Sequence, residues 1–271
     1  MNTIQQQPPV GAELTVTNLL KATAYIFSRN MLQYILLSLA CILLTLGLQK
    51  AFTLSNIPLY LPGADGASGP TNPEGMIRYS TLLTGYLLLS QIMSSVWMVL
   101  PAAVITYGVM QRFRGRSFTF GEGLAAVQSR LVPLVWISVA YVIVVTAAGM
   151  LFVVPGVVFM LLFMLVVPVC VLERRGFFAS FQRSARMISE FPIYLKAFAA
   201  LGVVYLFVFL SKAIVAQSAP APDAVMIGVI SAVEAVGVAL VTVLESVVYF
   251  YVLYHLERKN ADDVAAGLGL G

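Results

Sequence analysis

Residues 153–188 read VVPGVVFMLLFMLVVPVCVLERRGFFASFQRSARMI. In order, the stretch holds a Pro-Gly pair, an apolar run, a Glu-Arg-Arg brake and an amphipathic basic segment. That succession predicts a sharp turn at Pro155-Gly156, a membrane crossing, an exit at a charged interface and a helix lying on the interface.

The charges around the stretch place the whole chain in the same class. Between Arg130 and Glu173 there is no Asp, Glu, Lys or Arg, an uncharged run of 42 residues from 131 to 172. One crossing of a hydrocarbon core about 30 Å thick takes roughly 20 apolar residues. The run therefore predicts two helices, with Pro155-Gly156 between them. Over all 271 residues the chain is 60% hydrophobic and 10% charged, where soluble domains carry roughly a quarter charged residues. This composition excludes an ordinary soluble domain. A net charge of +4 would suggest nucleic acid in a soluble protein, but here the basic residues stand at helix ends, where they set topology.

The remaining elements follow in order. Residues 1–13 are a polar tail, and the start, MNTIQQQPPV, lacks the basic and apolar regions of a cleaved signal peptide. Residues 14–31 put Val16, Leu20, Ala24, Phe27 and Met31 on one helix face and Asn18, Lys21, Ser28 and Arg29 on the other, which predicts an interfacial helix. The first crossing is expected at 32–50. Residues 51–79 are dense in Pro and Gly and predict an extramembrane loop. The uncharged run from Tyr79 to Gln111 predicts one long second crossing kinked near Pro101. A short helix is expected from Phe120 to Arg130, and crossings three and four at 131–151 and 156–172. A second interfacial helix over 177–191 has Phe177, Phe181, Ile188 and Phe191 on one face and Gln182, Arg183, Arg186 and Glu190 on the other. Crossings five and six are expected at 193–215 and 224–255, before a short tail at 257–271.

The fold class expected is thus all-α: a single polytopic domain of six transmembrane helices with three amphipathic interfacial helices. Each amphipathic segment (14–31, 120–130, 177–191) leads into an out-and-back pair of crossings, which predicts a threefold parallel pseudo-repeat. Six crossings put both termini on one side with Lys21, Arg29, Arg112, Arg114, Arg116, Arg130, Arg174, Arg175, Arg183, Arg186, Lys196, Arg258 and Lys259. The other side has Lys50, Arg78 and Lys212, a count of thirteen basic residues against three. The positive-inside rule then makes both termini cytoplasmic in a bacterial inner membrane.

Pro155-Gly156, Pro168, Val171-Leu172-Glu173 and Ser180-Phe181-Gln182-Arg183-Ser184 together resemble a pattern of the YciC-like bacterial inner-membrane proteins. A similar pattern occurs in the membrane domain attached to some glycerophosphodiester phosphodiesterases and, more distantly, in Yip1-like proteins. In layout the resemblance covers about residues 12–260, and in its specific motif about 153–187. It implies a six-helix membrane fold and carries no phosphodiesterase activity with it. The end of the chain, Tyr254-His255-Leu256-Glu257-Arg258-Lys259-Asn260, departs from the Leu-Arg and Lys-Glu-Gly stretch common in such relatives.

Three groups of residues are candidate sites. Glu173, Arg174 and Arg175 mark a topology stop, and with Arg112, Arg114, Arg116, Arg183 and Arg186 they could form a belt for anionic lipid headgroups, since guanidinium pairs with phosphate. Glu234 and Glu245 lie inside the sixth crossing, eleven residues apart and about 20° apart around the helix. A charge at that depth costs roughly 3 kcal/mol or more, so both should face the bundle or water, in a structural hydrogen bond or a proton or cation path. Pro155 and Gly156 are the structural turn. His255 is the single histidine, and Cys41 and Cys170 sit in apolar runs, so neither a zinc site nor a disulfide framework is expected.

No metal, cofactor or nucleic-acid partner is expected; membrane lipids and other membrane-protein subunits are. Without a phosphate loop, a nucleophile-base pair or an Asp-rich cluster, the reading is a non-enzymatic inner-membrane scaffold, accessory subunit or lipid-binding envelope protein. The alternative is a small transporter or channel using Glu234 and Glu245, and the third an intramembrane enzyme. Tags at both termini and at residue 118 are expected to be cytoplasmic, and one at residue 66 periplasmic. Protease access to a terminus on the outer face of intact spheroplasts would contradict the six-crossing topology.

Overall fold

The computed structural model describes residues 14–56, 73–189, 191–217 and 224–268. The tail 1–13 and residues 57–72 of the expected loop lie outside these. Among the described residues ten helices follow one another: α1 Val16–Asn56, α2 Pro73–Phe113, α3 Phe120–Gln128, α4 Leu131–Leu151, α5 Val153–Leu162, α6 Val166–Leu172, α7 Phe177–Ile188, α8 Phe191–Gln217, α9 Ala224–Glu257 and α10 Ala261–Gly267. Among the described residues there is no strand. Six segments of the described residues are long and apolar enough to cross a membrane: Val16–Leu48, Leu88–Phe113, Leu131–Leu151, Val154–Leu172, Leu195–Ile214 and Val225–Glu257. The protein is an all-α, multi-pass integral membrane protein.

α9 is the central helix. Seven consecutive residues, Val247 to Leu253, are buried, including three aromatic side chains. A run buried all round means neighbours on every side, and α9 packs against α1, α2, α6, α7 and α8. Phe250 meets Phe113 of α2 with ring centroids 4.8 Å apart. One turn earlier, Ser246 Oγ lies 2.8 Å from its own helix's Thr242 carbonyl and 3.0 Å from Thr106 Oγ1. The serine donates to the carbonyl and accepts from the threonine, joining α9 to α2.

Several boundaries differ from those expected. The first interfacial helix and first crossing are one helix, interrupted only at Asn30, whose φ of −128° and ψ of 18° are non-helical. Its N-terminal part buries Leu19, Ala22, Thr23 and Ile26 and exposes Ala24 and Met31. The buried face is therefore rotated from the expected one, because it packs on other helices of the chain. Residues 51–56 and 73–79 are helical, which shortens the expected loop at both ends. α2 runs as one helix through Pro101 to Phe113, in keeping with one long second crossing, but it begins earlier than Tyr79, at Pro73.

The turn at Pro155-Gly156 is also corrected. The chain reverses at Phe152, a single extended residue with φ −157° and ψ 142° between α4 and α5. Pro155 is the third residue of α5, where a missing N–H costs nothing because the first turn has no intrahelical acceptor for it. Gly156 has a packing role: a Cβ there would stand 2.8 Å from the Gly149 Cα on α4. The absent side chain is what lets the two helices meet at the hairpin.

The fourth crossing, expected as one helix over 156–172, is broken at 163–165 between α5 and α6. Pro168 has no N–H, and its ring clashes with a helical carbonyl four residues earlier, at Met164. The chain tightens instead, with Met164 N–H bonding Leu161 O at 3.2 Å and Val166 N–H bonding Phe163 O at 3.1 Å. α7 closes the rest of the gap. Ser184 Oγ accepts from Leu165 N–H at 3.1 Å and donates to the Leu162 carbonyl at 2.7 Å. Phe181 sets its ring edge-on to Phe163 at 4.9 Å. Hence α7 does not simply rest on an interface through its phenylalanines. It presents Ser180, Ser184, Met187 and Ile188 to the bundle, and Phe178, Gln182 and Arg186 are exposed.

The three expected units share one feature of backbone geometry. Among the described residues the positive φ angles are at Gly115 (70°), Arg174 (52°) and Arg258 (55°). Each stands just past the returning helix of one out-and-back pair, where a left-handed residue ends a helix and turns the chain. α3 and α7 open the second and third units as separate helices, while the opening segment of the first is fused into α1.

Removing the Ser184 hydroxyl strands a buried amide and a buried carbonyl. Ser184→Ala should lose about 1–3 kcal/mol, with Ser184→Thr retaining most of the stability. Equilibrium unfolding in detergent measures both.

Candidate functional site

Two polar regions occupy the bundle, and α9 contributes to both. The first gathers where α6 and α9 end against the middle of α7. Glu173 follows the last turn of α6, and its carboxylate accepts from Arg183 Nε at 3.1 and 3.2 Å, from Arg175 Nε at 2.6 Å and from Tyr249 Oη at 3.2 Å. Arg183 also donates through Nη2 to Glu257 at the end of α9. Lys259 Nζ reaches the other Glu257 oxygen at 2.9 Å. The Arg183 and Glu173 side chains are only 13% and 15% exposed, so the pair is shielded from most of the screening that weakens surface ion pairs. Burial alone would pull the Arg183 guanidinium down, but the carboxylates of Glu257 and Glu173 hold it above its ordinary value.

The expected belt of arginines is therefore divided, and part of it is committed to the protein itself. Arg183 bridges two helix ends. Arg112 donates through Nε to Asn30 Oδ1 at 3.2 Å, and also through Nη2, while Asn30 Nδ2 donates to Tyr34 Oη at 3.0 Å. The arginine thereby holds the irregular residue of α1. Arg114 pairs with Asp262 of α10 at 3.1 Å. Arg116, Arg174, Arg175 and Arg186 are exposed. Of the eight residues expected to form a headgroup belt, Arg116, Arg174 and Arg186 present their charge outward, while Arg175 is exposed but paired with Glu173.

The second region is a cavity of about 490 Å³ between the α8–α9 pair on one side and α2, α4 and the broken fourth crossing on the other. Its walls are mostly apolar, among them Val99, Ile137, Val208 and Val238, and both expected acids line it. Glu234 pairs with Lys212 of α8, Nζ to Oε1, at 3.4 Å. Glu245 lies roughly 16 Å further along α9 at 1.5 Å per residue. Among the described residues its carboxyl has no hydrogen-bond partner, and Tyr141 and Tyr205 line the same cavity. Met164, in the break of the fourth crossing, lines the same space. Irregular backbone at membrane depth occurs where protein or a cavity surrounds it, and here Ser184 satisfies it from behind.

The cavity opens sideways. Tyr205 and Phe209 both line it, yet they are 45% and 67% exposed at the perimeter of the bundle. A molecule dissolved in the bilayer would meet this mouth without passing through water. On the inner side Gly237 brings α9 close to α8, since a Cβ there would stand 2.8 Å from Val208 Cγ1.

Glu234 and Glu245 were legible in the sequence as acids on one face of an apolar helix. Lys212 was visible only as a basic residue of the outer side, although a lone lysine in one apolar helix and a lone glutamate in the next are a signal for an ion pair. Tyr141, Tyr205, Tyr249 and Ser184 carried no such signal, because an apolar helix accommodates their types anywhere. Among the described residues no three His, Cys, Asp or Glu gather where they could hold a metal ion. Compared with protein-family models, curated proteins and solved structures, the chain finds no match.

Arg183 and Glu257 should be energetically coupled. A double-mutant cycle of Arg183→Met and Glu257→Gln, read by thermal unfolding in detergent, should give about 1–2 kcal/mol of coupling, within the range for groups sharing a hydrogen-bond network. A value near zero would mean that the cluster does not tie α7 to α9.

Proposed function

We propose that this protein is a non-enzymatic membrane protein that binds an amphiphilic molecule from the bilayer in the cavity between α2, α4, α8 and α9. The observation carrying the reading is the form of that cavity. Its volume of about 490 Å³ falls in the range of small-molecule sites, about 300–1,000 Å³, and like them it is apolar with a few convergent polar groups. Its sideways mouth suits a ligand that arrives through hydrocarbon. The exposed arginines Arg116, Arg174, Arg175 and Arg186 belong to the same reading as a generic attraction for anionic lipid.

The proposal includes a place in the cell. Thirteen basic residues on one side against three on the other support a bacterial inner membrane with both termini cytoplasmic. The cluster of Glu173, Arg183 and Glu257 then lies at the cytoplasmic end and the Lys212–Glu234 pair nearer the periplasm. The likeness of residues 153–187 to the YciC-like pattern supports kinship with that family, and a protein subunit that receives or presents the ligand is the partner that fits.

A second reading has one observation in its favour: Glu234 and Glu245 line the same cavity, as the acids of a proton or cation path would. The two readings separate in one preparation. The purified protein should retain a lipid-like molecule detectable by native mass spectrometry. Ala102→Phe, which fills the cavity from α2, should lose it without loss of thermal stability, and proteoliposomes should show no proton or cation flux. Flux abolished by Glu245→Gln would select the transporter instead.

A further inference from the structure

The groups lining the cavity leave one charge without a counterpart. Two carboxylates, Glu234 and Glu245, stand against one ammonium, that of Lys212, and Lys212 is paired with Glu234. Glu245 is the remainder, with apolar wall around it and no hydrogen-bond partner among the described residues. A carboxylate in such surroundings is stable only when neutral or paired. We infer that its partner is the ligand: an amphiphile bearing a protonated amine, whose ammonium sits on the Glu245 carboxylate. The inference rests on the cavity reading above.

The chemistry around Glu245 favours a cation over other headgroups. Tyr141, Tyr205, Phe163 and Phe209 all line the cavity, and aromatic faces attract ammonium groups, more strongly when water is excluded. An anionic headgroup would meet two carboxylates and a lysine that is already engaged. A neutral alcohol can bond only to the neutral acid, without the charge pairing that an ammonium adds. The alkyl chain has the walls formed by Val99, Val208 and Val238 and the mouth between Tyr205 and Phe209 to occupy.

Three probes of one chain length test the inference on the full-length protein in nanodiscs of phosphatidylcholine: dodecylamine, dodecanol and dodecanoate, each titrated by calorimetry. Dodecylamine should bind at least tenfold more tightly than dodecanol, and dodecanoate more weakly than either. Glu245→Gln should bring the amine to the level of the alcohol, and Glu245→Asp should keep most of the preference. Equal binding of amine and alcohol to the wild-type protein overturns the amine assignment and leaves the cavity reading intact. That comparison needs no variant to fold. Absence of binding by all three probes, or binding that Ala102→Phe does not reduce, overturns the cavity reading and this inference with it. A further arm uses lysophosphatidylethanolamine. Tighter binding than dodecylamine assigns the site to an amine-bearing lipid headgroup, and weaker binding assigns it to a simple amphiphilic amine.

Discussion

Ser184 holds two backbone groups that nothing else in the fourth crossing can reach, the amide of Leu165 and the carbonyl of Leu162. Within hydrocarbon, each unsatisfied backbone group costs several kcal/mol, and Pro168 denies the chain an unbroken helix. The break survives because a hydroxyl from another helix completes it. That places α7 against the bundle and fixes its rotation, so that Arg183, the neighbour of Ser184, meets Glu173 and Glu257. From one serine follow the docking of α7, the path of α5 and α6, and the closure of the end at which α9 terminates.

The polar groups of the bundle follow a common rule, which is that depth demands partners. Near the helix ends, where water is close, arginines bridge carboxylates and an asparagine: Arg183 to Glu173 and Glu257, Arg112 to Asn30, Arg114 to Asp262. Deeper along α9, serine hydroxyls return to carbonyls of their own helix, as Ser231 does to Ile227 and Ser246 to Thr242. Glu245 does neither. Its environment supplies aromatic rings and apolar walls, and that departure from the rule is what makes the cavity read as a site and not as a packing fault.

The three out-and-back pairs connect these features. Each ends on a left-handed residue, Gly115, Arg174 or Arg258, yet the pairs differ in what they hold. The second contains the broken helix, and the third contributes the central α9 with both deep acids. The first is tied to the C-terminal α10 through Arg114 and Asp262, while Arg112 and Asn30 join its own two helices. A cavity between units uses surfaces that a strictly symmetric bundle would have filled alike.

The number of crossings, their approximate limits and the two acids on one face of α9 were determined by the sequence alone. Hydropathy is a property of each residue against lipid: about 20 apolar residues span the core, charges are confined to the ends, and a buried acid stands out in any arrangement. Which groups meet was decided only by tertiary structure. Arg112 and Asn30 are 82 residues apart in the chain, and Arg183 and Glu257 are 74 apart. α4, α8 and α9 are apolar nearly all round, so their sequences do not encode which side turns toward a neighbour. The expected turn at Pro155-Gly156 and the unbroken fourth crossing failed for a related reason. A proline marks where a helix loses a bond, but whether the chain bends, breaks or passes through depends on what stands nearby to replace that bond. At Pro101 the helix continued. Near Pro168 a hydroxyl from α7 was in reach, and the helix opened to meet it.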